Sequence, residues 1–184
     1  VLLNYKKGSY LATRHLINLG HKKIACITGP MGLANSNERI EGYRLALQDS
    51  NLPVDNTPVF EGDYRYQSGA GLAEKVLQVP GVSAVFAFND LMAYGVMRGL
   101  KAHGVRIPED ISLVGFDDIE FSAMLETPLT TVRQPTKEIG RLAAQRLLKE
   151  IEKKSLGPSH HIILEPSLII RSSTSPPVSG RTEK

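Results

Sequence analysis

At 184 residues, with 41% apolar and 22% charged side chains, the chain can bury a real core and is too apolar to stay disordered. A net charge of +3, with the doublets Lys6-Lys7, Lys22-Lys23 and Lys153-Lys154 dispersed, is not a nucleic-acid footprint. Cys26 is the only cysteine, so no internal disulfide forms, and no apolar run is long enough for a membrane span.

The sequence opens in a strand-like run, Val1-Leu-Leu-Asn-Tyr5, without a visible signal peptide, and we expect further residues upstream of it. Leu11, Ala12, His15, Leu16 and Leu19 share one helical face, and Gly20 ends that helix. His15 and His21 flank the helix end, where imidazolium complements the dipole. Lys23–Thr28 is a β-rich run ended by Gly29-Pro30, with Cys26 as a small buried hydrophobe. A stripe of Ile40, Tyr43, Ala46 and Leu47 predicts a helix over about 36–51. Val59-Phe60 is a short strand, followed by a helix on Ala70, Ala73, Val76 and Leu77. Val82–Phe88 is a strand stopped at Asn89-Asp90, and Ala93, Val96, Met97 and Leu100 stripe the next helix up to Gly104. Ile111–Phe116 is the fourth strand, with the two carboxylates Asp117 and Asp118 exposed at its end and a short helix at Ile119.

After Pro128 the rhythm changes. Leu129–Arg133 is strand-like, and Thr136–Lys153 is an amphipathic helix on Ile139, Leu142, Ala143, Leu147 and Ile151, with Thr136 as its N-cap. Ser155–Ser159 is a linker. His160–Leu164 and Ser167–Arg171 are the last strands, split by Pro166, and 176–184 forms a disordered tail. Strands alternating with helices predict an α/β fold, a doubly wound parallel sheet with helices on both faces.

Catalytic signatures are missing. Gly69-Ala70-Gly71 lies in a helical pattern, with Glu74 where a dinucleotide site needs its third glycine. A P-loop Gly-Lys pair and a Gly-x-Ser-x-Gly elbow are both lacking. His160-His161 are adjacent on a strand and face opposite ways, which does not chelate a metal. We therefore expect no enzyme, no cofactor and no metal.

Polar residues at the strand ends are more telling. Arg39 opens toward the edge after the second run, Tyr64 after Val59-Phe60, Asn89 after Val85–Phe88, and Asp117 after Ile111–Phe116. In a parallel sheet these four loops share the carboxyl edge, where ligands bind. A guanidinium, an amide, a carboxylate and an aromatic face suit a polyhydroxylated ligand. Each residue also has a plainer role: Asn89 or Asp90 as a helix cap, Arg39 paired on the surface with Glu41 or Asp63, Tyr64 in the core.

Several segments carry a family resemblance: Gly20-His-Lys-Lys-Ile-Ala, Glu38-Arg-Ile-Glu-Gly-Tyr43, Glu61-Gly-Asp-Tyr64, Phe86-Ala-Phe-Asn-Asp-Leu-Met-Ala93, Arg106-Ile-Pro-Glu-Asp-Ile-Ser-Leu-Val-Gly-Phe-Asp-Asp118, Pro128-Leu-Thr-Thr-Val-Arg-Gln-Pro135 and Arg171-Ser-Ser-Thr174. From about Tyr5 to Pro177 the chain resembles the effector-binding core of the LacI/GalR family of bacterial transcription repressors, whose fold is that of type I periplasmic sugar-binding proteins. The resemblance implies two α/β lobes clamping a small effector, and Arg39, Asn89, Asp117 and Gln134 together suit a pentose or hexose better than a purine. It implies that Arg39, Asn89 and Asp117 hydrogen-bond the effector, that Tyr64 walls it, that Gln134 reaches it from a crossover strand, and that Asn35 contributes from the loop of Arg39. It places 1–130 in the C-terminal lobe, 131–158 in a remnant of the N-terminal lobe, and 159–175 in strands returning to the first. It further implies a cytoplasmic homodimer built on the faces near Tyr66–Gln78, Tyr94–Lys101 and Ile119–Leu125. Operator DNA would be bound only through a headpiece that these residues do not include. The helix-turn-helix and the first half of the N-terminal lobe have no counterpart in the sequence, so these residues alone are expected to bind effector weakly. The rival from another class is an exported sugar receptor feeding a transporter.

Overall fold

The computed structural model describes residues 1–152 and 161–178. In chain order the elements are β1 (Leu2–Leu3), α1 (Tyr5–Asn18), β2 (Ile24–Thr28), α2 (Ala34–Gln48), β3 (Val59–Glu61), α3 (Tyr66–Leu77), β4 (Ala84–Ala87), α4 (Asp90–Ala102), β5 (Ser112–Asp117), a 3₁₀ turn (Glu120–Ala123), β6 (Thr130–Arg133), α5 (Thr136–Ile151), β7 (Ile163–Leu164) and β8 (Ser167–Ile169). The expected 155–159 linker, His160 and 179–184 of the tail lie outside the described residues.

Six strands form one sheet in the order β3-β2-β4-β5-β6-β8, parallel except for β8, which runs antiparallel to β6. β2 and β4 are buried at every position, as continuous apolar runs require when helices cover both faces. Neighbouring residues of β5 show the two faces. A Cβ on Gly115 would meet Asp90 of α4, while the Phe116 ring lies against Gly8 of α1. Side chains alternate along a strand, so α1 and α4 flank opposite faces. After β2 the chain adds β3 on one side, then crosses back to add β4 on the other. That reversal opens a crevice at the carboxyl ends of β2 and β4.

Several local expectations change. α5 starts at Thr136 as expected, but its N-cap position is Pro135 and no side chain caps it. None of its residues is buried: Leu147, Leu148 and Ile151 are exposed, while Ile139 and Leu142 are half-covered. The opening strand-like run leaves the main sheet, because β1 pairs in parallel with β7 in a separate two-stranded sheet. His21 is not a surface charge at a helix end. It is buried and meets the Ser83 hydroxyl at 2.8 Å, the Ser112 hydroxyl at 3.1 Å and the Ser175 carbonyl at 2.9 Å. Burial lowers the pKa of His21 and of His15, so both rings favour the neutral form and the dipole reading falls.

Gly69, which resembled part of a failed nucleotide motif, serves packing. Across the α3–α4 contact, a Cβ on Gly69 would lie 2.1 Å from the Met92 carbonyl oxygen, and one on Gly95 would lie 2.1 Å from that of Tyr66. The two helices touch backbone to backbone. Gly95→Ala should therefore destabilise the fold by about 1–3 kcal/mol. Gly71→Ala, on α3 two residues past Gly69 and facing open space, should instead gain about 0.5–1 kcal/mol from helix propensity. Urea unfolding of both variants checks the contrast.

Candidate functional site

Arg39 is the centre of the site. It sits on the buried face of α2 and is 3% exposed. Its guanidinium carbon lies 3.9 Å from the Phe116 ring centre, 4.8 Å from that of Tyr5 and 5.6 Å from that of Tyr64. Nη1 donates to the Phe88 carbonyl at the end of β4. Nη2 is 3.8 Å from Asp117 Oδ1, and Nε is buried without a partner. Burial lowers its pKa, and Asp117 opposes that shift. The surface-pair alternative fails: Glu41 pairs with Lys6 at 3.3 Å, and Asp63 accepts from the Arg65 backbone N–H within its own loop.

Asp117 ends β5 with φ at +122°, and Asp118 follows with φ at +56°. The left-handed region is rare for side-chain-bearing residues and marks a backbone held by its surroundings. The Asp117 side chain is 28% exposed rather than open at a strand tip. Gln134 Nε2 donates to its Oδ1 at 2.5 Å. Burial pushes the Asp117 carboxyl up to about 6, with Arg39 and Gln134 opposing and Asp90 adding to the rise. Asp118 behaves in the opposite way. Burial alone would raise it, but Arg171 and Arg133, each at 2.5 Å, hold it below the ordinary carboxylate value.

Asn89 fills two roles. Its Oδ1 accepts from the Met92 N–H at 2.9 Å and caps α4, while its Nδ2 donates to the Tyr64 carbonyl at 2.8 Å. One N–H and one lone pair remain for a ligand. Tyr64 has φ at +67°, its hydroxyl meets Ser36 at 2.7 Å, and its ring fills the space beside Gly29 where any Cβ would clash. Tyr64 is thus a wall braced from both ends. Asn35 stands half-covered in the first turn of α2.

These residues enclose one cavity of 270 Å³, lined by Tyr5, Asn35, Arg39, Tyr64, Asn89, Asp117 and Gln134. All six expected site residues line it. Tyr5 was not anticipated; its position just past the carboxyl end of β1, in the first turn of α1, was the available signal. Two larger hollows lie elsewhere. A 500 Å³ apolar groove runs along Tyr66, Leu91, Tyr94, Met97, Phe121 and Leu125, and a 430 Å³ hollow lies near Lys22, Lys23 and Asn56. The smaller polar cavity is the stronger ligand site, because it alone of the three gathers both charged groups and amides at the sheet's switch point. Among the described residues, no three His, Cys, Asp or Glu side chains are grouped to hold a metal ion. The Cys26 thiol is buried, and burial raises its pKa far from a nucleophile's range.

The family model of the periplasmic binding protein-like domain matches residues 13–174. The chain belongs to this family. Within the family its likeness is to LacI-type effector-binding domains. It is 43% identical over 155 residues to the HTH-type transcriptional repressor PurR of Aliivibrio salmonicida (strain LFI1238), covering 84% of this chain and 46% of that protein. It is 35% identical over 176 residues to the HTH-type transcriptional regulator DegA of Bacillus subtilis (strain 168), covering 96% and 52%. The chain thus spans about half the length of the curated relatives it matches. A LacI family transcriptional regulator from Enterococcus faecium with bound ribose superposes with a TM-score of 0.89 at 34% identity, over 95% of this chain and 64% of that one. The cellobiose complex of the transcriptional regulator CelR gives 0.87 at 38%, over 93% and 52%.

In this periplasmic binding protein-like domain, the double role of Asn89 can be separated by substitution. Asn89→Ala removes the cap and should destabilise by about 0.5–2 kcal/mol. Asn89→Asp keeps the cap but sets a carboxylate against the Tyr64 carbonyl, so it should hold most of the stability while disturbing the Tyr64 wall. Urea unfolding measures the first effect, and the ring signals of Tyr64 by NMR report the second.

Proposed function

We propose that the chain is the effector-sensing and dimerising part of a LacI-type cytoplasmic transcription regulator. Operator DNA would be contacted by a headpiece that these 184 residues do not contain. The observation that carries this reading is the convergence of Arg39, Asn89, Asp117 and Gln134, with two tyrosines, on one cavity at the sheet's switch point. Hydroxyls of a pentose or hexose would donate to Asp117 and accept from Arg39, Asn89 and Gln134. Tyr64 and Tyr5 would cover the less polar face of the ring. The ribose and cellobiose bound by two structural neighbours support a sugar.

In this proposal the six-stranded sheet and its helices form one lobe, and α5 is part of a second. β6 lies in the main sheet, so the crossover falls just past Arg133, at Gln134-Pro135. An effector held between lobes shifts a two-state equilibrium by its differential affinity for the closed state. The exported-receptor reading has less support, since the relatives are transcriptional regulators. An enzyme reading would need turnover of a sugar or nucleoside, and a product screen tests it.

Calorimetry of the full-length protein against a panel of pentoses, hexoses and nucleosides tests the effector assignment. Asp117→Ala should cost the bound sugar about 1.5–3 kcal/mol, or more than tenfold in affinity. Arg39→Lys should not restore what Arg39→Ala loses, because an ammonium cannot replace a planar fork braced between rings. Unchanged affinity in Asp117→Ala defeats the assignment.

We also propose that a homodimer forms across α3, α4 and the 3₁₀ turn, where Phe121, Met124, Leu91 and Tyr66 are exposed around the apolar groove. A chain of the dimeric Lac repressor superposes at a TM-score of 0.87 and 31% identity. Sedimentation equilibrium at micromolar concentration should give a dimer, and Phe121→Asp should give a monomer with its fold intact.

A further inference from the structure

Asp90 follows the site residue Asn89 but does not line the cavity. It is the first residue of α4, and it is fully buried. Its Oδ2 accepts from the Ile119 backbone N–H at 3.0 Å and from the Ser122 hydroxyl at 2.5 Å. Its Oδ1 accepts from the Thr131 hydroxyl at 2.5 Å. The Ser122 hydroxyl is in turn within 2.7 Å of the Tyr94 hydroxyl. β5 is cut away to make room for the carboxylate: a Cβ on Gly115 would lie 2.2 Å from Asp90 Oδ1.

A buried carboxylate met by three neutral donors is expensive to keep. Capping does not account for it, because Asn89 already caps α4 and an acidic residue in a first turn works equally well in solvent. What its donors share is their place in the chain. Ile119 and Ser122 follow directly on Asp117 and Asp118, the two residues held at positive φ. Thr131 lies on β6, three residues before Gln134, which donates to Asp117. Asp90 therefore grips, from behind, the loop after β5 and the body of β6, the two segments that lead to the cavity carboxylate and its partner Gln134.

We propose that Asp90 is a positioning residue for the effector, holding the Asp117 carboxylate in place by fixing the loop after β5 and the neighbouring strand β6. The proposal rests on the effector reading above and adds a residue that no ligand touches. It also makes a statement about charge. Around Asp117 stand Arg39 from α2, Tyr5 from α1, Tyr64 from the loop before α3, Asp90 from α4, and Asp118 with its partners Arg133 and Arg171. Burial and Asp90 raise the pKa of Asp117, and Arg39 and Gln134 lower it. A carboxylate that must be ionised to accept a ligand hydroxyl loses affinity as pH falls through about 6. Asp90 adds to burial in raising the pH at which that loss begins.

The decisive variant is Asp90→Asn, which keeps the shape and an acceptor but removes the charge. Asp117 is followed in the full chain by carboxyl carbon NMR, and binding of ribose and of cellobiose by calorimetry. In wild type, affinity at about pH 5 should be roughly tenfold below that at about pH 8. In Asp90→Asn the Asp117 titration should move to lower pH, and the loss at about pH 5 should shrink to roughly threefold or less. Thr131→Val removes one donor while leaving the charge, so it should weaken binding at about pH 8 by roughly fivefold. Wild-type titration and affinity in both variants overturn the proposal. Failure of Asp90→Asn to fold leaves the decision to Thr131→Val, where unchanged affinity overturns it. Wild type that binds neither sugar sinks the sugar reading, while the NMR titration still decides whether Asp90 governs Asp117.

Discussion

The site depends on burying one guanidinium. Moving an arginine out of water is unfavourable unless other groups take over from its hydration shell. Here three aromatic rings, the Phe88 carbonyl and the offset Asp117 carboxylate do so. They come from four parts of the chain besides Arg39's own α2: Tyr5 from α1, Tyr64 from the loop after β3, Phe88 from the end of β4, Phe116 and Asp117 from β5. A single buried cation thus fixes how five segments meet at the sheet edge. At 3.8 Å, Arg39 and Asp117 are near enough to stabilise each other's charge but are not closed into a tight pair. The hydrogen-bonding capacity left on Asp117 is what a ligand would use, whereas the unpartnered Arg39 Nε is buried.

The two sides of the sheet are specialised differently. On the α1–α2 side, the Phe116 ring projects from β5 and backs the Arg39 guanidinium. On the α3–α4 side, small residues predominate at the helix contact, and the strands yield space, as Gly115 does to Asp90. Close backbone approach of α3 and α4 leaves their outer surfaces, with Phe121 and Met124 beyond them, as an exposed apolar face.

Much of this was legible from residue order because buried parallel strands leave plain apolar runs. Lys23–Thr28, Val82–Phe88 and Ile111–Phe116 each contain the observed strand or nearly all of it. The carboxyl-edge rule then brought Arg39, Tyr64, Asn89 and Asp117 together without any distance. Gln134 and Asn35 came only from resemblance, since neither stands out by pattern. Tyr5 was missed because an aromatic in a first helical turn is indistinguishable from ordinary packing. The β1–β7 pair was hidden for a different reason. Two residues cannot show a period, and the pairing joins chain ends some 160 residues apart. His21 misled because its partners are three serine sites scattered from 83 to 175, and a helix-end histidine offers no hint of such burial. Asn89 was both of its alternatives at once, cap and cavity wall.

Asp118 faces away from the question of affinity and toward that of motion. Arg133 at the end of β6 and Arg171 just past β8 both close on its carboxylate, and Arg171 also reaches the Leu129 carbonyl. Three neighbouring strand exits are thereby riveted to one point. In the two-lobe reading proposed above, bending between lobes would not be shared along those strands; it would be displaced outward, to Gln134 and Pro135. Gln134 is also the residue whose amide touches Asp117. On that reading the fulcrum and the cavity's carboxylate are one hydrogen bond apart, so an occupant of the cavity would bear on the pivot itself and not on a distant lever.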